Sequence, residues 1–370
     1  MNENVNKKVL KASGITAIVF LLCVVLCLLA ELIVVITAGK FEYIHAGDRW
    51  SSNGERYAVV SLYTEEGSAV SYDQITQWAF NMDSALLAAS VTPAEGARSW
   101  TYSALCESTQ SVTGPKGRVT AEVMAVCGDF FTVHPMNFVF GSPFLNDNTN
   151  PMGIVLDRNL AWELFGAENI IGMPLEIGGF EYIITGIVEK ESDRGMYGYT
   201  YGERPRMYMS YAGYSKISGA GADITVFEAV LPNSYSSFAR NTFDSVVSHN
   251  QETASVLEVS DRFSLAVRFA NMNLLPYSWI RSDRIEYPYW ENEARAADFG
   301  CAVLMIFEVA FAAVGAASML LSFILLRVSG YTVLDTVKNT VRKIEANRSR
   351  KKRSRNTESK PKKSRRSAQR

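Results

Sequence analysis

Two long apolar runs bracket the chain. Gly14–Ala38 carries a single charge, Glu31, and Phe299–Leu326 a single charge, Glu308. Each run is long enough, at 1.5 Å per helical residue, to cross a hydrocarbon core of roughly 30 Å, which predicts two membrane-spanning helices. Between them the pattern is that of an α+β domain. Arg56–Thr64 (RYAVVSLYT) reads as a strand. Ser71–Ala89 reads as a helix, because Tyr72, Ile75, Trp78, Ala79, Met82, Leu86 and Leu87 recur near helical spacing; this stripe is expected in the core. Trp100–Val112 and Arg118–Val126 read as a hairpin around Thr113-Gly114-Pro115-Lys116-Gly117.

The stretch Val123–Val188 is patterned most tightly. Asp157 stands where a helix N-cap belongs, Leu160, Ala161, Leu164 and Phe165 share one helical face, and Gly166 stands where a left-handed cap would end the helix. Leu175 and Ile177 then alternate with Glu176, and Gly178-Gly179 supplies the positive φ angles of a two-residue turn. Counting outward pairs Ile177 with Phe180 and Leu175 with Tyr182, giving the hairpin one apolar face.

Farther on, Met207–Tyr211 is expected to be an edge strand, Ile224–Leu231 (ITVFEAVL) a buried strand and Ser234–Asn250 a helix. Glu189–Arg206 has a loop composition, with Tyr197, Tyr199 and Tyr201 offering a partner surface or a plain loop face. Tyr287, Tyr289 and Trp290 precede a helical stretch whose only breaker before the second apolar run is Gly300. They read either as the base of a stalk or as an interfacial aromatic belt.

The ordered set GDFF, GSPF, IVLDRNLAWELFG and IGMPLEIGGFEYIITGIV resembles the extracytoplasmic core domain of the MacB and FtsX-like permeases of bacterial ABC systems. The resemblance is close over Val123–Val188 and looser over the rest of the central segment. It implies a MacB-like core, expected to hold two subdomains, and a stalk that carries movement outward from the second span. It also implies a separate ABC ATPase as partner, together with a full-length permease or a second copy of the chain. Such permeases have three spans after the core domain, whereas this sequence shows one. That departure keeps open a membrane-anchored extracytoplasmic binding or scaffold protein as the alternative.

Charge sets the expected topology. The chain is close to neutral, at a formal net charge of −1, but Arg327–Arg370 is strongly basic and the acids are concentrated between the two apolar runs. Lys7, Lys8 and Lys11 precede the first run, and its apolar length favours an uncleaved signal anchor over a cleaved signal peptide ending at Ile36-Thr37-Ala38. Basic residues at both ends predict cytoplasmic termini in a bacterial inner membrane. The expected organisation is a cytoplasmic N-terminus (1–13), helix one (14–38), extracytoplasmic core with stalk (39–298), helix two (299–327), a basic amphipathic helix (328–347) and a disordered basic tail (348–370).

On the amphipathic helix Val333, Leu334, Val337, Val341 and Ile344 share one face, suited either to the inner leaflet or to docking on the ATPase. The tail is expected to meet anionic lipid, and no nucleic-acid partner is expected. In the second span Ala312 and Ala316, and Ala313 and Ala317, are small-xxx-small pairs that fit helix packing against span one or another subunit. Glu31 and Glu308 are intramembrane carboxylates, each costly unless paired or protonated.

Cys106 and Cys127 lie on one face of the predicted hairpin; they read either as a disulfide or as two reduced core thiols. The sequence has no GxxxxGK[ST], GxSxG or HExxH, and His45, His134 and His249 are at no ligand spacing. No catalytic site, cofactor or metal is expected, and ATP hydrolysis would belong to a partner.

Overall fold

The computed structural model describes residues 3–51, 54–65, 67–68, 70–93, 97–144, 151–190, 204–219, 223–272 and 284–329. They fall into two compact units. One comprises Leu32–Met305; the other combines the chain up to Glu31 with the chain from Ile306.

In chain order the elements are α1 (Glu3–Ala38), a 3-10 turn (Glu42–His45), α2 (Ala46–Trp50), β1 (Tyr57–Thr64), α3 (Tyr72–Ala88), β2 (Thr101–Gly114) and β3 (Gly117–Gly128). Next come α4 (Phe130–Val133), β4 (Phe138–Gly141), β5 (Gly153–Asp157), α5 (Arg158–Phe165), β6 (Pro174–Ile177) and β7 (Phe180–Val188). The chain continues with β8 (Arg206–Ser210), α6 (Tyr211–Ser218), β9 (Val226–Pro232), α7 (Phe238–Val246), β10 (Ala254–Glu258), α8 (Leu265–Asn271) and α9 (Tyr289–Ser329).

Within Leu32–Met305 the strands form one mixed sheet in the order β10-β1-β9-β2-β3-β8-β5-β7-β4, with β6 pairing β2 and β7. Two pairs, β3 with β8 and β5 with β7, are parallel. Its central strands are buried on both faces, so they read as nearly continuous apolar runs instead of clean alternation. On one face Val60, Leu62, Ala104, Phe227 and Ala229 pack under α3 and α7. On the other, Val59, Tyr63, Leu105, Val126 and Val230 share a cluster with Tyr43, Phe130, Tyr287, Tyr289 and Trp290. The described residues form this single sheet with a core on each face.

The densest part of the sequence pattern folds as its chemistry dictates. Asp157 accepts a hydrogen bond from Leu160 N at 2.6 Å, and Gly166 ends α5 at φ 69°. Ile177 faces Phe180 and Leu175 faces Tyr182 across the Gly178-Gly179 turn. Phe180, beside the turn, is 41% exposed and departs from the apolar face. Helix α3 starts with a reciprocal Ser71–Gln74 capping box. Ile75, Trp78, Met82 and Leu86 are buried, but Leu87 lies outside the stripe and is 66% exposed.

Three expectations need correction. Strand β8 is interior, between β3 and β5, because its Met207-Tyr208-Met209 run meets a buried layer on each face. The helix expected over Ser234–Asn250 is confined to Phe238–Val246; Asn233 Oδ1 accepts a hydrogen bond from Ala239 N and closes a turn ahead of it. Tyr287, Tyr289 and Trp290 are core residues, each 5% exposed, and form no interfacial belt.

In the other unit, α1 and α9 are helices long and apolar enough to cross a membrane. They run antiparallel. Ser13 Oγ meets Ser322 Oγ at 3.1 Å, and Cys27 Sγ donates to the Glu308 carbonyl at 3.7 Å. A Cβ on Gly315 would lie 3.3 Å from Cys23 Cβ, so glycine permits the close approach. Leu21, Leu28, Leu320 and Ile324 are exposed, an apolar surface suited to lipid.

A buried ionic junction as candidate functional site

The first turn of α9 enters the core of the Leu32–Met305 unit and carries Glu291, which is fully buried. A buried carboxylate is costly unless it is paired and its lone pairs are used. Arg262, in the segment between β10 and α8, supplies the pairing. Its Nη1 donates to Glu291 Oε2 at 2.6 Å and its Nη2 to Oε1 at 2.7 Å, a parallel two-bond fork. Its Nε donates to Asp298 Oδ2 at 2.7 Å. Glu291 and Asp298 are seven residues apart on α9, two turns along one helical face, so a single guanidinium grips both.

Two tyrosines complete the cage around Glu291. Tyr43, in the 3-10 turn just after α1, donates to Oε2 at 3.0 Å, and Tyr63 of β1 donates to the same oxygen at 3.4 Å. Arg262 Nη1 also donates to Tyr43 Oη at 3.2 Å. Burial by itself would pull the Arg262 guanidinium down, but Glu291, Tyr43 and Asp298 together hold it well above its usual range. Burial, reinforced by the charge of Glu291, pushes both tyrosine hydroxyls well above 10, so they remain protonated donors.

Beside this cage lies a second buried pair. His134, one residue past α4, bonds Glu228 of β9 through Nε2 and Oε2 at 2.5 Å, with the two side chains 7% and 0% exposed. The imidazole stacks on Phe130 at 4.8 Å and on Tyr43 at 5.7 Å, and Trp290 packs against it at 4.3 Å. Around α9, Arg206 lies over the Tyr289 ring and Arg295 over the Tyr287 ring, each at 4.1 Å. The junction thus joins α9, the turn after α1, the loop after β10 and strands β1 and β9. Among the described residues no group of three His, Cys, Asp or Glu could hold a metal ion.

The family model for the MacB-like periplasmic core domain matches residues 14–248. The chain belongs to that family. Solved structures similar to this MacB-like chain include the periplasmic region of MacB from Actinobacillus actinomycetemcomitans. There the identity is 12% over 55% of this chain and 89% of that one, with a TM-score of 0.42. The extracellular domain of the noncanonical ABC-type transporter YknZ from Gram-positive bacteria matches at 13% identity. The match covers 54% of this chain and 100% of that one, with a TM-score of 0.37. No curated protein sequence matches the chain. The family is one of permease-type transporter components, in keeping with a chain that has an α+β core and two apolar helices.

The residues singled out from sequence fall elsewhere. Cys106 and Cys127 are free, buried thiols; Cys106 faces Ala125 and Cys127 faces Ala104, so they are diagonal neighbours across β2 and β3. Burial pushes both up to about 12. Glu308 is buried and Glu31 half-buried; Glu31 is one turn from Cys27, whose thiol bonds the Glu308 carbonyl. Ala312, Ala313, Ala316 and Ala317 are exposed, while Gly315 and Ser322 make the contact with α1. Val333, Leu334, Val337, Val341 and Ile344, like Tyr197, Tyr199 and Tyr201, lie outside the described residues.

Arg262, Glu291 and Glu228 were not singled out from the sequence, and His134 was read only as holding no ligand spacing. Glu228 left the clearest signal, a carboxylate inside the apolar run ITVFEAVL. Arg262, in SDRFS, left none because its partners are distant in sequence.

Proposed function

We propose that this MacB-family chain is a permease-like membrane subunit of an ABC assembly, in which a separate ATPase moves the membrane helices and α9 passes that movement to the extracytoplasmic domain. The observation that carries the reading is α9 itself. It is one helix of 41 residues, and its first turn is gripped by Arg262, Tyr43 and Tyr63. A load on such a helix reaches the sheet through a buried ionic cage instead of a loop. The work done would be export from outside the membrane or control of an outside partner, with both termini cytoplasmic and residues 39–298 extracytoplasmic.

The partner set follows the same proposal: an ABC ATPase, a full-length permease or a second copy, and lipid around the helices. The exposed Ala312/Ala316 and Ala313/Ala317 pairs are the proposed contacts for another helix, and Val337 and Val341 lie on the proposed docking helix. Purification of the tagged full-length chain in mild detergent, followed by mass spectrometry, tests the reading. An ATPase at fixed ratio is expected, and Val337→Asp with Val341→Asp should release it. Recovery of the wild-type chain alone, or only with extracytoplasmic proteins, would overturn the proposal in favour of an anchored binding or scaffold protein.

A further inference from the structure

Helix α8 is built inside out for a helix at a water-facing surface. Its single charged residue, Arg268, is turned inward, 3% exposed, and donates through Nε to the carbonyl of Phe263 at 3.1 Å. The opposite face is apolar. Leu265 and Phe269, four residues apart and so on one side of the helix, are 59% and 56% exposed, and Ala266 and Ala270 are exposed beside them. A helix on the surface of a soluble domain directs its apolar stripe to the core and its charges to water. In α8 the stripe is outside and the charge is inside, an arrangement that fits an apolar medium.

The residues immediately ahead of α8 fix where that face lies. Phe263 stacks on Phe41 with ring centroids 5.6 Å apart, and Phe41 is the third residue beyond Ala38, where α1 ends. Arg262 donates through Nε to Asp298 at 2.7 Å, and Asp298 directly precedes the apolar run that begins at Phe299. Val34, in the apolar run of α1, and Cys301, in that of α9, belong to the same buried cluster as Phe41 and Phe263. The chain entering α8 is therefore tied to the end of each apolar helix that adjoins the sheet, on the sheet face opposite α3.

With α1 and α9 as membrane spans, on which this rests, we propose that α8 is an interfacial helix whose Leu265 and Phe269 face lies in lipid at the boundary between headgroups and acyl chains. Helices of this kind sink their apolar face about 5–10 Å into that boundary and are held by the apolar area they bury. The lipid around the two spans reaches α8 without a break, so the occupant of its outer face is the membrane that the spans already cross. The anchor fixes one edge of the domain against the bilayer, next to the Arg262–Glu291 junction.

The test uses full-length protein reconstituted in vesicles of phosphatidylethanolamine and phosphatidylglycerol. The photoreactive residue p-benzoylphenylalanine takes the place of Phe269 in one sample, of Leu28 of α1 in a second, and of the exposed Phe80 of α3 in a third. All three side chains are more than half exposed, so the replacements leave the packing intact. After illumination, mass spectrometry is expected to find an adduct of one phospholipid at Phe269 and at Leu28, and none at Phe80. A lipid adduct at Leu28 without one at Phe269 would overturn the interfacial helix while leaving the spans in place. So would a crosslink from Phe269 to protein, the chain's own residues 273–283 included. No lipid adduct at any of the three positions would overturn the spans, and α8 with them. Equal adducts at Phe80 and Phe269 would also reject the anchor, because contact with lipid would then need no particular face.

Discussion

Arg262 and Glu291 meet through two parallel hydrogen bonds of 2.6 and 2.7 Å, with their side chains 8% and 0% exposed. They are 29 residues apart in sequence, on a loop and on the first turn of α9. The pair is unlike a surface salt bridge, because neither charge can be rehydrated where it stands if its partner is removed. Arg262→Ala should therefore cost about 3–5 kcal/mol of stability, the range for stranding one partner of a buried pair. Arg262→Lys should rescue little, since an ammonium cannot make the fork and also reach Asp298. Denaturant unfolding of the full-length protein measures both. A loss within about 0.5 kcal/mol, the usual surface range, would show that the pair contributes little to stability.

Asp157 caps α5 with one carboxylate oxygen and accepts Arg206 N with the other, at 2.6 and 2.7 Å. Asp157→Ala leaves two backbone N–H groups without their partner, one at the start of α5 and one at the start of β8. The expected cost is roughly 2–4 kcal/mol. Asp157→Asn keeps an acceptor for one of them and should lose less. Paired unfolding curves would expose equal losses, which would contradict this account.

Cys106 and Cys127 are buried thiols pushed up to about 12, so the reactive thiolate is scarce at neutral pH. Folded full-length protein should leave both unmodified by iodoacetamide, while denaturant should expose both. Peptide mapping after trapping distinguishes the two. Rapid labelling without denaturant, or a bridged peptide, would contradict two protected thiols.

The same shifts give a pH dependence. Both thiols, and Tyr182 at about 12, are raised in the folded state by burial. A cysteine with its ordinary value near 9 loses its proton in the unfolded chain first, so the folded state holds more protons between about 9 and 12. The stability these groups contribute is thus full below about pH 9 and declines as pH rises toward 12. Thermal unfolding followed from pH 7 to 11 should show a falling Tm above 9. Cys106→Ala with Cys127→Ala should lessen the slope, and an unchanged slope would assign it to other groups.

Gly315 sits against Cys23 of α1 with room for little more than hydrogen. Gly315→Cys should form an intramolecular disulfide with Cys23 under mild oxidation in membranes, whereas Ala316→Cys, on an exposed part of α9, should not. Gly315→Leu should separate the helices. Mobility on non-reducing gels reads the crosslink, and equal crosslinking at both positions would argue against the observed seam.

What the sequence determined by itself was local. Asp157, Gly166, Gly178 and Gly179 act through the backbone within a few residues of themselves, so the cap of α5 and the register of the β6–β7 hairpin were legible without knowing the fold. Apolar length likewise marked α1 and the second span of α9. Tertiary structure decided what depends on which layers meet. Strand β8 became interior because β3 and β5 enclose it, and Leu87, in the last turn of α3, was left exposed. Gly315, not the alanine pairs, faces α1, since the rotation of one helix against another is fixed by both surfaces together. The junction is the extreme case. Tyr43, Tyr63, Arg262 and Glu291 carry no shared periodicity, and only folding brings a lone guanidinium and a lone carboxylate out of water, where neither is stable without the other.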